Sequence, residues 1–409
     1  MNTSHVRRHI GRAGVGRLLI ATLLFATIAG AARPARAGER LCDPSFESCR
    51  DEVLTLIGQE TIGIDVAFWF MDDSRYASAI IKRWQAGVPV RVLIDPRGDV
   101  GHPLNADVRQ QLQDAGIPMR VRTASGILHW KTMLFAGQNI VDFGGANYSP
   151  YEYVPVTPYV NYTDEAILFS DDPAVVNSFK TKWDDLWTDT TNYADYANIT
   201  NPPVRIYPTF PIDPDLNFPP GQDYANRAVG RYNLETQQID VLMFRITDQR
   251  HTDAMLNAVA RHVPVRLITE QSEYRDPTRL WDAWNVDRLY VGGVQIRQRA
   301  HEGLNHEKAV ILYSEGMTIF GSSNWTTPSA NSQQEHNYFT TKTAMFQWFV
   351  DQFNRKWNNT DPAGTVETEP FVPLPPDKPA YQTPANAASV STNTATLTWY
   401  GGPWAHNYD

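Results

Sequence analysis

One pattern occurs twice in this chain, in the same order and at matched spacing, and that duplication restricts the fold more than any other feature. The first copy reads H-W-K-T-M-L-F followed by F-G-G-A-N, with His129, Lys131 and Asn147. The second reads H-E-K-A-V-I-L followed by F-G-S-S-N, with His306, Lys308 and Asn324. In each, the histidine precedes the lysine by two positions and the asparagine by eighteen. An N-x-x-x-E stretch follows each copy, ending at Glu165 and at Glu335. The repeat extends further. E-T-I-G-I-D-V at Glu60–Val66 returns as E-T-Q-Q-I-D-V at Glu235–Val241, and V-P-V-R-V-L at Val88–Leu93 returns as V-P-V-R-L-I at Val263–Ile268. F-x-x-K-W at Phe179 returns at Phe353, and the offsets of these further repeats and of the His, Lys and Asn stay between 174 and 177. A period this long means duplicated domains rather than a solenoid of small units. Paired about a pseudo-twofold axis, such domains bring equivalent surfaces together, so one site assembled from both copies is expected.

Within each copy the elements are legible. Ile64–Met71 and Val88–Ile94 are apolar, β-branched runs that predict strands. Between them Ser74–Gln85 places Ala77, Ile80, Ile81 and Trp84 on one helical face. A helix over Leu104–Ala115 and a strand over Pro118–Thr123 follow. The segments on either side of Ala136–Gly137 read as two strands joined by a turn. Strand–helix–strand alternation predicts an α/β layered fold with helices over a largely buried sheet. Two apart in an extended chain, His129 and Lys131 project to the same side.

The N-terminus reads as a targeting signal. Arg7, Arg8, Arg12 and Arg17 precede an apolar stretch, Leu18–Ala32, and Ala35-Arg36-Ala37 offers a cleavage site. Residues 1–37 are therefore expected to be a signal peptide, and the mature chain secreted or periplasmic; the apolar run is short for a membrane span. Cys42 and Cys49 follow directly, and a local disulfide is expected. Two cysteines alone do not make a structural zinc site. Loss of the six arginines of 1–37 leaves 30 Lys+Arg against 45 Asp+Glu, a balance of −15. General electrostatic grip on nucleic-acid backbones asks for the opposite sign, although a local basic groove can coexist with an acidic exterior. Asn201–Pro220 holds seven prolines and lies between the copies, as an extended connector or a loop over the site, and Asp361–Pro379 holds six.

Paired H-x-K motifs with a downstream Asn and Glu resemble the phospholipase D superfamily, over roughly Glu60 to Trp357. The resemblance implies two duplicated α/β/α sandwich halves with mixed sheets, related by a pseudo-twofold axis, at 38–200 and 201–360. A Pro-rich linker at 361–379 would then lead to 380–409, where V-S-T-N-T-A-T-L-T-W-Y resembles the opening strands of a fibronectin type III module with Trp399 at its core position. Such modules need about 100 residues, so a truncated all-β segment is expected. The resemblance also implies roles. His129 attacks phosphorus and becomes phosphohistidine, while His306 protonates the leaving alcohol and later activates water. Lys131, Lys308, Asn147 and Asn324 neutralise the phosphate charge. Glu165 and Glu335 each fix the tautomer of an imidazole; which glutamate serves which histidine is open, and Asp164 is a rival for the role of Glu165. No metal or cofactor is called for. The chain departs from the family pattern at Ala136 and Tyr313, which stand where an Asp is usual. It also has Gly145 where the second copy has Ser322, so one hydroxyl donor to the phosphate is expected to be missing.

The substrate expected on this reading is a phospholipid or other small phosphodiester, with contact to a membrane surface, cleaved by water or transferred to another alcohol. DNA or RNA is the second expectation, and an inactive binding module the third. A monomer is expected. Tyr148, Tyr151, Tyr153, Tyr159 and Tyr162 could cage a quaternary ammonium, stack bases or pack their own loop, with packing the default.

Overall fold

The repeated β-branched runs become the central strands of two sheets built to one plan. The computed structural model describes residues 38–201, 206–375 and 380–400. The expected signal peptide, 1–37, and the end of the C-terminal segment lie outside the described residues. The first copy supplies β1 (Arg40–Cys42), β2 (Ile64–Phe68), β3 (Val90–Ile94), β4 (Met119–Arg122), β5 (Lys131–Phe135), β6 (Ile140–Gly144), β7 (Asn161–Asp164), β8 (Ile167–Ser170) and β9 (Tyr193–Ala197). The second supplies β10 (Leu216–Asn217), β11 (Ile239–Met243), β12 (Val265–Thr269), β13 (Gln295–Arg299), β14 (Glu302–Asn305), β15 (Lys308–Leu312), β16 (Met317–Gly321), β17 (Asn337–Thr340) and β18 (Thr368–Pro370). One eight-stranded sheet runs β1-β8-β6-β5-β2-β3-β4-β9, and the other runs β10-β17-β16-β15-β11-β12-β13-β18. The two orders correspond place by place. In each sheet the strands of the strand–helix–strand alternation are parallel, and the rest run antiparallel. Both sheets are thus mixed, and β2, β3 and β11 are buried along their whole length, as expected of sheets covered by other elements.

The repeated segments outside the H-x-K motifs hold structure. Glu60 is buried and accepts from the backbone N–H groups of Ile62, Gly63 and Gly137 through Oε1. Glu235 does the same for Gln237, Gln238 and Ser314. Arg91 pairs with Asp65 at 2.7 Å over the Trp183 ring, and Arg266 pairs with Asp240 over Trp357. The hydroxyl of Tyr313 donates to Asp240 at 2.7 Å, and that of Tyr207, from the connector, donates to Asp65 at 2.6 Å. Tyr313, at one of the two positions lacking the usual Asp, is thus part of a packed polar layer. Asp73 and Asp248 cap the helices Ser74–Gln85 and Gln249–Ala260 through the N–H groups of Arg75 and Arg250, each cap worth about 1 kcal/mol.

Phe143 and Phe320 are equivalent residues of the two copies, and they stack on each other with ring centroids 6.2 Å apart and planes 5° apart. Residues that meet their own counterparts lie beside the axis relating the copies, so the pairing is the expected pseudo-twofold one. Around them a single hydrophobic core crosses the join, including Trp130, Phe179, Ile311, Tyr338 and Phe349.

Both proline-rich segments are folded where they are described. The connector lies along the helix Pro173–Thr188, with Tyr207 and Phe210 bonded to Asp184 and Thr181, and then enters the second sheet as edge strand β10. The segment expected as a linker forms the opposite edge, β18, and Phe371 is buried just after it. Ala380–Thr383 and Thr398–Tyr400 pair antiparallel with Tyr381 opposite Trp399, and Trp399 stands half exposed instead of in a core. Cys42 and Cys49 form the expected disulfide. Among the described residues no helix is long and apolar enough to cross a membrane.

Candidate active site

Each H-x-K lysine opens a strand opposite the last residue of a central strand. Lys131 lies opposite Phe68, and Lys308 opposite Met243. The motifs therefore sit at the carboxyl ends of the parallel strands, where open α/β sheets bind ligands. Both lysines are buried, and each Nζ donates to the carbonyl of the histidine two residues before it, at 2.8 Å for Lys131.

The glutamates reach their histidines across the join. β7 of the first copy pairs in parallel with β14 of the second, and Asn305 stands opposite Asp164. The next residues along are His306 and Glu165, and His306 Nδ1 is hydrogen-bonded to Glu165 Oε1. The same arrangement recurs on the other side of the axis. Leu128 bridges to Gln334, with His129 N donating to the Gln334 carbonyl at 2.9 Å. One residue on, His129 Nδ1 lies 2.8 Å from Glu335 Oε2. Each histidine is thus oriented by the other copy's glutamate. A carboxylate partner keeps the proton on Nδ1 and leaves Nε2 as the reactive nitrogen.

Two glycines make this crossing possible. A Cβ on Gly303, which has φ +100°, would lie 1.9 Å from the Tyr162 carbonyl oxygen, and one on Gly126 would lie 1.7 Å from that of Ser332. Both stand three positions before a motif histidine. Replacing either by alanine must push the paired strands apart. The expected result for Gly303→Ala and Gly126→Ala is a loss of roughly a hundredfold or more in turnover from misplacement of about 1 Å, read against Gly230→Ala, where a Cβ meets nothing within 4 Å.

Asp164, the rival of Glu165, is committed elsewhere. It accepts from His301 Nε2 at 2.7 Å and pairs with Lys356 at 2.8 Å. Burial alone would raise its pKa, but Lys356 and His301 hold it below the usual carboxylate range.

Burial dominates the electrostatics of the site. It lowers both imidazoles well below their ordinary value, and the ammonium groups of Lys131 and Lys308 lower them further. Burial pushes Lys131 down to about 7 against the pull of Glu335, and pushes Glu335 up to about 8 against the pull of Lys131. A depressed lysine loses its charge as pH rises through its folded pKa, so kcat/KM, which reports the free enzyme, is expected to fall above about pH 7. A bound phosphodiester anion favours the charged lysine, so the fall in kcat is expected at higher pH. Paired pH–rate profiles check the separation; coincident alkaline limbs would refute it.

Asn147 and Asn324 are buried, and neither amide Oδ1 has a hydrogen-bond partner among the described residues. The Ser322 hydroxyl donates to Glu335 Oε2, so its task is to hold the orienting carboxylate. This corrects the expectation that Gly145 costs the site a phosphate donor. A side chain at Gly145 would meet Glu165 Oε2 at 2.5 Å. Among the five tyrosines, Tyr148 and Tyr153 are buried and donate to Asp142, and Tyr162 donates to Glu367, so these three pack the loop.

Sequence reasoning missed three features. Trp69 and Phe244, which follow the repeated strands, stand beside His129 and His306 at ring distances of 6.2 and 4.7 Å. The G-x-x-H-x-K extension of the motif was readable, at Gly126 and Gly303. Glu152, beside Asn147 and His306, has no counterpart to reveal it, since the second copy has Ser329.

The profile of the family described as cardiolipin synthase, PLD-like domain, matches residues 53–187 and again 233–357. The chain belongs to this phospholipase D-like family. Its two matched segments are the two lobes that share the site. Among similar proteins, the mitochondrial cardiolipin hydrolase of Xenopus laevis is 26% identical over 128 residues, 31% of this chain and 58% of that protein. The human protein of that name is 24% identical over 145 residues, 36% of this chain and 55% of that protein. The chain thus spans a little over half the length of these relatives. The crystal structure of phosphatidylserine synthase from Haemophilus influenzae Rd KW20 aligns over 82% of this chain and 87% of its own, with a TM-score of 0.59. At 13% identity that likeness concerns the fold.

Proposed function

We propose that the protein is a phosphodiesterase that cleaves phospholipid headgroup esters through a covalent phosphohistidine. The observation that carries this reading is the crosswise pair of His–Glu contacts beside two buried lysines. In the first step Nε2 of His129 bonds to phosphorus as the P–O bond to the leaving alcohol breaks, and His306 gives that oxygen its proton. In the second, His306 takes a proton from water, the water oxygen bonds to phosphorus, and the P–N bond breaks. Lys131, Lys308, Asn147 and Asn324 supply the charge and amide donors that an anionic transition state needs. An alcohol in place of water would give headgroup exchange.

Relatives named for cardiolipin, and the −15 balance without residues 1–37, support a lipid over a nucleic acid. The Cys42–Cys49 disulfide, of a kind that persists in oxidising compartments, supports export through the leader at 1–37. Incubation of the purified protein with phosphatidylcholine and with plasmid DNA, in EDTA, tests the proposal. Choline release without nicking is the expected result. Nicking alone would move the substrate to nucleic acid, and no product from either would leave a binding module.

A further inference from the structure

The two copies diverge beside the site in one consistent direction. Where the first has Glu152, the second has Ser329 at the equivalent position. Glu152 is buried, accepts from the Asn147 backbone N–H at 2.6 Å and from its amide at 3.0 Å, and places Oε2 3.5 Å from His306 Nδ1. His306 therefore faces two carboxylates, Glu152 and Glu165. The His129 ring is held by Glu335 and by a hydrogen bond with the Ser322 backbone, and the Glu335 carboxylate also takes the Ser322 hydroxyl. Gly145 offers Glu165 no such donor. A carboxylate beside an imidazole stabilises its protonated form. Two carboxyl groups thus face His306 and one faces His129, in an otherwise symmetric site.

We propose that Glu152 is a positioning residue that reserves His306 for proton transfer and leaves His129 as the nucleophile. The proposal rests on the phosphodiesterase reading. The charged and titratable groups around Glu152 are His306 and Glu165 from the crossing strands, Lys131 from β5 and Lys308 from β15. Burial lifts Glu152 to about 7, with the Asn147 bonds and both lysines drawing it down. Glu152, Glu165 and His306 bring ligand atoms within 4.8 Å of one another, but Lys308, 4.0 Å from Glu165, already supplies positive charge there.

A proton donor matters most when the leaving oxygen is a poor one. The test compares bis(p-nitrophenyl) phosphate, whose phenolate departs without a proton, with an alkyl diester the enzyme cleaves, phosphatidylcholine or plasmid DNA. Glu152→Gln keeps an acceptor for Asn147, and Glu152→Ser copies the second lobe. For both, the loss on the alkyl ester is expected to exceed the loss on the aryl ester by at least about tenfold, within the range of general acid catalysis. Glu152→Asp is expected to recover part of it. The ratio is independent of how much of each variant is folded. Equal losses on the two substrates, or no loss, would overturn the role of Glu152. A wild-type enzyme inert to every diester would overturn the phosphodiesterase reading itself, and the two failures are told apart without any variant.

Discussion

Alanine at His129 or at His306 is expected to lower kcat by at least about a thousandfold, because residues acting as one catalytic unit each cost nearly the whole effect. The two losses should differ in kind. With bis(p-nitrophenyl) phosphate, His306→Ala should still release one p-nitrophenolate per chain and stall as a phosphoenzyme, since the first step then needs no acid. His129→Ala should give no burst. Phosphorus trapped on any residue other than His129 would refute the assignment. The crosswise contacts add a spectroscopic reading. A neutral amide is a weaker acceptor than a carboxylate, so the low-field Nδ1 proton of His129 should move upfield in Glu335→Gln and stay put in Glu165→Gln. The His306 proton should respond the opposite way.

Lys356→Met is expected to destabilise the fold by roughly 3–5 kcal/mol, the usual cost of breaking a buried ion pair from one side. Lys356 is 1% exposed and lies 2.8 Å from Asp164 and 2.9 Å from Glu307. Burial disfavours its charge, but the two carboxylates together hold its pKa above the ordinary lysine value. Its removal leaves both carboxylates buried, one next to Glu165 in the chain and the other next to His306. Lys182, its counterpart in the first copy, is about one-third exposed, meets Asp185 at 3.8 Å and lies 6.0 Å from the Phe218 ring centroid. Lys182→Met is therefore expected to change stability by less than about 0.5 kcal/mol. Urea denaturation of the two variants decides the matter, and equal midpoints would refute it.

The residues that gather at the join and the lobe plan were readable because duplication marks them twice. Ser74–Gln85 is the helix the spacing predicts, with its start fixed by Asp73. The strand expected over Ile64–Met71 ends at Phe68, since Trp69 turns toward His129 where a ladder partner would otherwise be needed. The assignment of glutamates to histidines was not readable, because it depends on strand pairing between lobes and no local pattern records it. The proline-rich segment expected as a linker misled for a different reason. Proline lacks a ladder donor, but an edge strand needs none on its outer side, so β18 can end in Pro370 and close the second sheet. Glu152 was hidden because it is the place where the copies disagree.

Reciprocal orientation has a consequence for a chain made from its N-terminus. His129 is synthesised 206 residues before Glu335, so for about half of translation the proposed nucleophile exists without the group that sets its proton. On the proposed reading, the lobe made first is expected not to turn over by itself until Glu335 docks against it. Completion of the fold would then be the step that arms the proposed phosphodiesterase.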